Sequence, residues 1–269
     1  MIARDNEDAS FVTENIAAPR KAQLTVRPLR FSDLTQSLRQ GLADFARAPL
    51  YGLFFGGVYA VGGWLIVALV FWLDWPYLAY PLALGFALIA PFVCAGLYEV
   101  SRTLERGRIL TWAGVLGAVW GRAGKELGWL ALVSLFTLIL WVDFSWTFFL
   151  LFHGLHVPSL REFVVESLTT TAGVSYLVAG NTVGALVAFF VFSITVVTPT
   201  LLVDREIDFV TAMTTSVRLV IANPLVMAAW AAAIGGLMAL SIATGLLGLF
   251  AVLPVLAHAS WALYRRAID

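Results

Sequence analysis

The sequence predicts an all-α, polytopic membrane helix bundle: six transmembrane helices arranged as three hairpins, each preceded by a cytoplasmic interfacial amphipathic helix. Three observations point there: composition, the length of the uncharged runs, and the sorting of cations between connectors. Of 269 residues, 60% are hydrophobic and 13% charged, with a mean hydropathy of +0.87. Soluble domains average about 45–50% apolar and about 25% charged residues. The lone Cys94 cannot form an internal disulfide, and 17 Lys+Arg against 17 Asp+Glu leave no basic field for phosphates. A disulfide scaffold, a disordered chain and a nucleic-acid binder are thereby excluded.

A helix needs about 20 apolar residues to cross roughly 30 Å of hydrocarbon. Leu50–Leu73 carries no formal charge and forms the first span, closed by Asp74-Trp75-Pro76. Tyr77–Tyr98 is the second, ending at Glu99, and Leu127–Phe152, apolar except for Asp143, is the third. The fourth runs from about Ala179 to Val203 and stops at Asp204-Arg205-Glu206. Leu219–Tyr264 holds 46 residues without a formal charge, about 69 Å as one helix. It must fold back near Ser241–Gly245, giving spans Pro224–Ile242 and Gly245–Tyr264. The continuous apolar runs also exclude a β-barrel, which would alternate at every second residue.

Sixteen of the 17 cations fall in the first 49 residues, the loops after spans two and four, and the tail; only Arg161 lies on the other side. The positive-inside rule makes that face cytoplasmic, with both termini inside. Residues 1–30 lack an apolar targeting segment and include Asp5, Glu7, Asp8 and Glu14. They are expected to be a mobile cytoplasmic tail before a single domain over 31–266, and a bacterial inner membrane fits the pattern.

Leu34, Leu38, Leu42 and Phe45 form a helical stripe with Asp33, Arg39, Asp44 and Arg47 off it. Ser32 is its expected N-cap, Pro49 its end, and the cytoplasmic interface its place. Asp208–Asn223 before Pro224 repeats the pattern: Asp33 and Asp208 each stand 16 residues before a proline. Gly85 and Gly248 each precede a proline (Pro91, Pro254) by six, and those prolines precede Arg102 and Arg265 by eleven. With Ile109–Ala123 opening a middle copy, three parallel units follow, about 31–102, 109–205 and 206–266. Parallel units differ from the inverted repeats that build many transporter sites.

Gly85-Phe86-Ala87-Leu88-Ile89-Ala90-Pro91 and Gly96-Leu97-Tyr98-Glu99-Val100-Ser101-Arg102 are followed by Asp204-Arg205, Asp208 through Ser216, Asn223-Pro224-Leu225, and Pro254 through His258, Trp261 and Tyr264-Arg265. Together these resemble the bacterial integral-membrane family known as domain of unknown function 2189, over roughly residues 30–266. The chain departs from the family pattern at Ala262, where a second histidine follows the tryptophan. Some members are labelled as a cytochrome c oxidase subunit, so the resemblance implies association with respiratory membranes and supplies no established activity.

Candidate chemistry is sparse. His153 and His156 sit at the outer end of span three and His258 toward the inner end of span six. No two can face each other across the bilayer as a bis-histidine haem site requires, and no cofactor is expected. His153 and His156 could share a metal with Glu162 or Glu166, against the plainer role of capping a helix end. Asp143, the one formal charge inside a span, could join Asn181, Ser193, Thr195 and Thr198 in a polar intramembrane path. Such hydroxyls also commonly bond back to their own helix. Glu99, Arg102, Asp204, Arg205 and Arg265, with Asn223 and Ser101 nearby, gather where spans two, four and six return to the cytoplasm. They can pair as a latch or offer a docking or anion site. Gly52-xxx-Gly56 and Gly180-xxx-Gly184 permit close helix contact.

The expected function is therefore non-enzymatic: an accessory, assembly or scaffold protein packing against lipid and other membrane proteins, respiratory complexes among them. A small-solute or ion permease built on Asp143 is the alternative. A haem or redox enzyme is disfavoured by the histidine placement.

Overall fold

The structure, a computed structural model, describes residues 24–72, 79–121, 124–154 and 160–269. The expected tail up to residue 23, the Asp74–Pro76 connector, Arg122 and His156 lie outside these residues. The described chain is all-helical: α1 (Phe31–Arg47), α2 (Pro49–Phe71), α3 (Ala79–Glu105), α4 (Trp112–Trp120), α5 (Gly124–His153), α6 (Leu160–Thr169), α7 (Thr171–Thr195), α8 (Thr198–Asp204), α9 (Phe209–Ala222), α10 (Pro224–Ala243) and α11 (Leu249–Ala267). Among the described residues, four stretches are long and apolar enough to cross a membrane: Pro49–Leu69, Gly124–His153, Thr171–Asp204 and Pro224–Ala243. The second and sixth expected spans correspond to α3 and α11, which are not among these four; both close on arginines, Arg102 and Arg265-Arg266. The fourth span begins at Thr171 rather than Ala179, since the α6–α7 junction at Thr170 caps the helix by accepting from the Gly173 amide.

Helix α11 is the axis of the bundle. It packs against α1, α2, α3, α8 and α10, and His258, Ala259, Leu263, Tyr264 and Ala267 along it are fully buried or nearly so. The chain reaches α11 through a tight reversal after α10, where Gly245 and Leu246 take left-handed φ angles of 64° and 69°. The Trp64 indole of α2 donates to the Gly245 carbonyl at 2.7 Å. At the other end of α11 the two described chain ends meet. Val26 and Ile268 form an antiparallel bridge, Arg27 donates its amide to the Ala267 carbonyl at 2.8 Å, and its guanidinium pairs with Asp269.

The buried face of α1 differs from the apolar stripe. Leu34, Ser37, Gly41 and Asp44 point into the bundle, whereas Leu42 is 59% exposed. The reason is proximity: a Cβ on Gly41 would sit 2.5 Å from the Val255 carbonyl oxygen and 2.7 Å from the Ala259 nitrogen. Only small side chains allow two backbones to approach so closely. The N-cap is Arg30, not Ser32, because Asp33 at N3 accepts from the Arg30 amide at 2.7 Å, half of a capping box. The small residues of the two glycine motifs also face inward. Gly52 and Gly56 abut Pro254 and the Leu249 and Phe250 backbone, and Gly180 and Gly184 abut Phe148 and Trp141. These faces are occupied inside the chain and are not free for partners.

Helix breaks have identifiable causes. Ala48 and Asn223, the residues before Pro49 and Pro224, adopt the same backbone, φ −136°, ψ 53° and φ −135°, ψ 52°. Proline at the next position cannot continue the hydrogen-bond ladder but suits a first turn. Between α7 and α8 the ladder is opened by an inserted side chain: Ser216 Oγ of α9 donates to the Ser193 carbonyl at 2.8 Å and accepts from the Val197 amide at 3.4 Å. Pro199 follows at the first turn of α8, and kinks of this kind arise where a side chain enters the i to i−4 pattern.

Gly41→Val is expected to lower the midpoint of thermal unfolding in detergent micelles, by a stability loss of about 1–3 kcal/mol or more, because backbone rather than a flexible side chain blocks the added methyls. Gly235→Ala, where a Cβ meets nothing within 4 Å, is the matched control and is expected to leave the midpoint unchanged.

Candidate functional site

Polar side chains collect at the end of the bundle where the chain ends meet, in two adjoining groups. The first is centred on Asp204, the last residue of α8, whose side chain is only 8% exposed. Arg102, Arg106, Arg205 and Arg265 approach it at 3.6, 3.8, 3.6 and 3.3 Å. The Tyr264 hydroxyl donates to it at 2.7 Å. Arg102 also pairs with Glu99 at 3.0 Å, and Arg265 with Glu105 at 3.0 Å. Glu105 in turn accepts from the Trp261 indole at 3.1 Å. The expected group of Glu99, Arg102, Asp204, Arg205 and Arg265 is thus brought together, and it joins α3, α8 and α11. Glu105, Arg106 and Tyr264 belong to it as well; Glu105 and Arg106 stand one helical turn after Arg102, and Tyr264 directly precedes Arg265.

Asn223 does not belong to this layer. Its side chain accepts from the Leu29 amide at 2.6 Å and donates to the Arg27 carbonyl at 3.2 Å. It therefore clamps the extended segment that pairs with the C-terminus. The sequence grouped it with the charged layer as a polar residue able to hydrogen-bond there, which carries no information about the partner it meets.

The second group was missed as a unit. Gln40 Nε2 donates to Asp44 Oδ1 at 2.8 Å, and Ser101 Oγ donates to Asp44 Oδ2 at 3.1 Å. Ser101 Oγ lies 2.7 Å from His258 Nδ1. A hydroxyl has one proton, so with Ser101 donating to Asp44 the imidazole carries its proton on Nδ1 and donates to Ser101. His258 Nε2 is then a buried acceptor, without a hydrogen-bond partner among the described residues. Serine stands between the acid and the imidazole. A nucleophilic triad requires the imidazole between acid and serine, so this order cannot activate Ser101 by that route. A cleft of about 270 Å³ opens over the group, lined by Gln40, Asp44, Ser101, Glu105 and Trp261 with arginines at its rim.

The remaining expected sites are dispersed. Asp143 and Asn181 are exposed on α5 and α7; Asn181 edges an open, largely aromatic cleft with Trp141, Phe148 and Tyr176, and Asp143 does not line it. Asn181, Ser193, Thr195 and Thr198 each donate to the carbonyl four residues earlier, at 2.6–2.7 Å. Thr195 and Thr198 flank the α7–α8 break, so their hydroxyls serve backbone groups next to it. His153 stacks on Phe149 at 4.6 Å and meets Tyr176 edge-on at 4.9 Å, inside an aromatic cluster of α5, α6 and α7. Among the described residues no three acidic, histidine or cysteine side chains are placed to hold a metal.

Burial pushes the Asp44 carboxyl above its ordinary value of 3.8, outweighing the Gln40 and Ser101 hydrogen bonds and the pull of Arg47. The fold therefore binds this proton more tightly than the unfolded chain does. Its contribution to stability falls as pH rises from about 3.8 through the higher folded value. Asp44→Asn is expected to unfold at a higher temperature than the parent at pH 7–8, with the two converging toward pH 4. Asp204→Asn is expected to act oppositely, lowering stability by up to about 3–5 kcal/mol, reduced by the part exposure of its arginines. Thermal unfolding across pH, read by intrinsic tryptophan fluorescence, measures both.

No curated protein and no solved structure matches the chain. Residues 79–204 match the family model described as "Predicted integral membrane protein (DUF2189)", a narrower stretch than the 30–266 over which the sequence motifs suggest resemblance. It covers α3 through α8, with Glu99, Ser101, Arg102 and Asp204 inside it and Asp44 and His258 outside. Over residues 79–204, the chain is thus similar to the DUF2189 family of predicted integral membrane proteins.

Proposed function

We propose that this chain is an accessory or scaffold protein of the bacterial inner membrane, acting by docking other membrane proteins rather than by catalysis or transport. The observation that carries the reading is the outward face of α10. Ala228, Ala232, Gly235 and Ala239 recur at spacings of four, three and four, and all are exposed. Gly235 and Gly236 have nothing within 4 Å of an added Cβ. With no hydrophobic drive between helices in lipid, such small residues are what permit close helix association. A respiratory complex is the partner class implied by the family resemblance.

The accompanying topology is six crossings with both chain ends in the cytoplasm, α3 and α11 completing the four apolar spans. Pairing of Val26 with Ile268 supports an even number of crossings, since both ends then lie on one side. The matched backbone at Ala48 and Asn223 supports the relation between the first and third units. A permease using Asp143 draws no support from the exposed placement of Asp143 and Asn181.

In a mild-detergent extract the protein is expected to comigrate with a larger complex on a native gel. Gly235→Leu is expected to release it to a faster-migrating form while its thermal unfolding midpoint stays within about 2 °C of the parent, a substitution away from core contacts. Migration as an isolated monomer, with nothing recovered by crosslinking at Ala232→Cys, would sink the reading.

A further inference from the structure

We infer that the cleft over Asp44 and Ser101 is a binding site for an anionic phospholipid headgroup that carries hydroxyl groups. The rim supplies the charge. Of its three arginines, Arg265 is committed to Glu105 and Asp204. Arg47 and Arg266 make no ion pair among the described residues; Arg266 donates only to the Ala262 carbonyl at 2.8 Å and weakly to Ser37. Two guanidinium groups at one mouth, neither held in an ion pair although the Arg47 charge also acts on Asp44, fit a phosphate, which guanidinium recognises through paired donors. Basic pockets between helices near the cytoplasmic interface are where such headgroups bind.

The floor supplies selectivity. Asp44, 4% exposed, and Ser101, 1% exposed, line the cleft together with Gln40. A bare phosphate pushed to this depth would meet a carboxyl group, whereas a headgroup hydroxyl donates to it. The natural reading is phosphate at the rim and hydroxyl at the floor. The site uses α1, α3 and α11 and is independent of the α10 face, so it is tested on the isolated protein without any partner.

The test follows thermal unfolding in maltoside micelles doped with phosphatidylglycerol, phosphatidic acid or phosphatidylcholine, or with inorganic phosphate added to the buffer. Phosphatidylglycerol is expected to raise the midpoint by about 3 °C, as ligands of the native state do. Phosphatidic acid is expected to raise it less, and phosphatidylcholine and inorganic phosphate not at all. Arg47→Gln, an exposed side chain whose loss spares the packing, is expected to weaken phosphatidylglycerol about fivefold, and the Arg47→Gln/Arg266→Gln pair to abolish the shift. Arg218→Gln, an exposed cation on α9, is expected to leave it intact. A shift that survives the double variant overturns the site. An equal shift with inorganic phosphate assigns it to a free anion and overturns the lipid, and an equal shift with phosphatidic acid overturns the hydroxyl floor.

Discussion

A single carboxylate organises one end of this molecule. Asp204 is nearly buried, and four guanidinium groups and a phenol are arranged around it. Charges removed from water are tolerated only in company, because each loses hydration that its partners must replace. The arginines come from α3, from the loop that follows it, from the residue after α8 and from α11. None of these elements can shift without leaving a charge short of its partner. The interaction adds little net stability compared with apolar packing, but it admits one arrangement of the helices. The dense core of Leu97, Leu201, Leu219, Met227 and Trp230 belongs to the same fold.

Elsewhere the chain is held by shape rather than charge. The four apolar spans bury only 17–33% of their most hydrophobic windows inside the molecule, so most of their surface is left for lipid, where burying apolar area gives no drive toward neighbouring helices. Contacts there depend on close approach, supplied by Gly41 against the α11 backbone and by Gly56 against Leu249 and Phe250. Hydrogen bonds fill the gaps that backbone breaks create, Ser216 in the α7 ladder and Asn223 on the Arg27–Leu29 segment among them.

Much of this was legible in the sequence. The helical stretch Asp208–Asn223, the ends at Pro49 and Pro224, the reversal near Gly245, and the meeting of Glu99, Arg102, Asp204, Arg205 and Arg265 follow from local rules and charge placement. What escaped has a common cause. An apolar stripe normally marks the buried face of a helix, but in lipid the greasy side can point outward, so Leu42 is exposed while Asp44 is buried. That inversion hid the Gln40–Asp44–Ser101–His258 group, because Asp44 read as a solvent-facing residue. Ser101 and Asp44 lie 57 positions apart and His258 a further 157, and no spacing rule spans such separations. The glycine motifs did mark close helix contacts, here within the chain. Small residues announce a close neighbour without saying whether it comes from the same chain.

The position of α11 in the chain carries a consequence for biogenesis. Among the described residues, α1, α2, α3, α8 and α10 all leave the ribosome before the helix they pack against. Until it arrives, the groove at Gly41 is vacant, Ser101 lacks its imidazole, and Asp204 lacks both Arg265 and the Tyr264 hydroxyl. The nascent protein must wait in the bilayer with its central slot unfilled and its acid half-neutralised. Such an intermediate holds polar groups short of their partners until α11 seats among α1, α2, α3, α8 and α10 and closes the structure around itself.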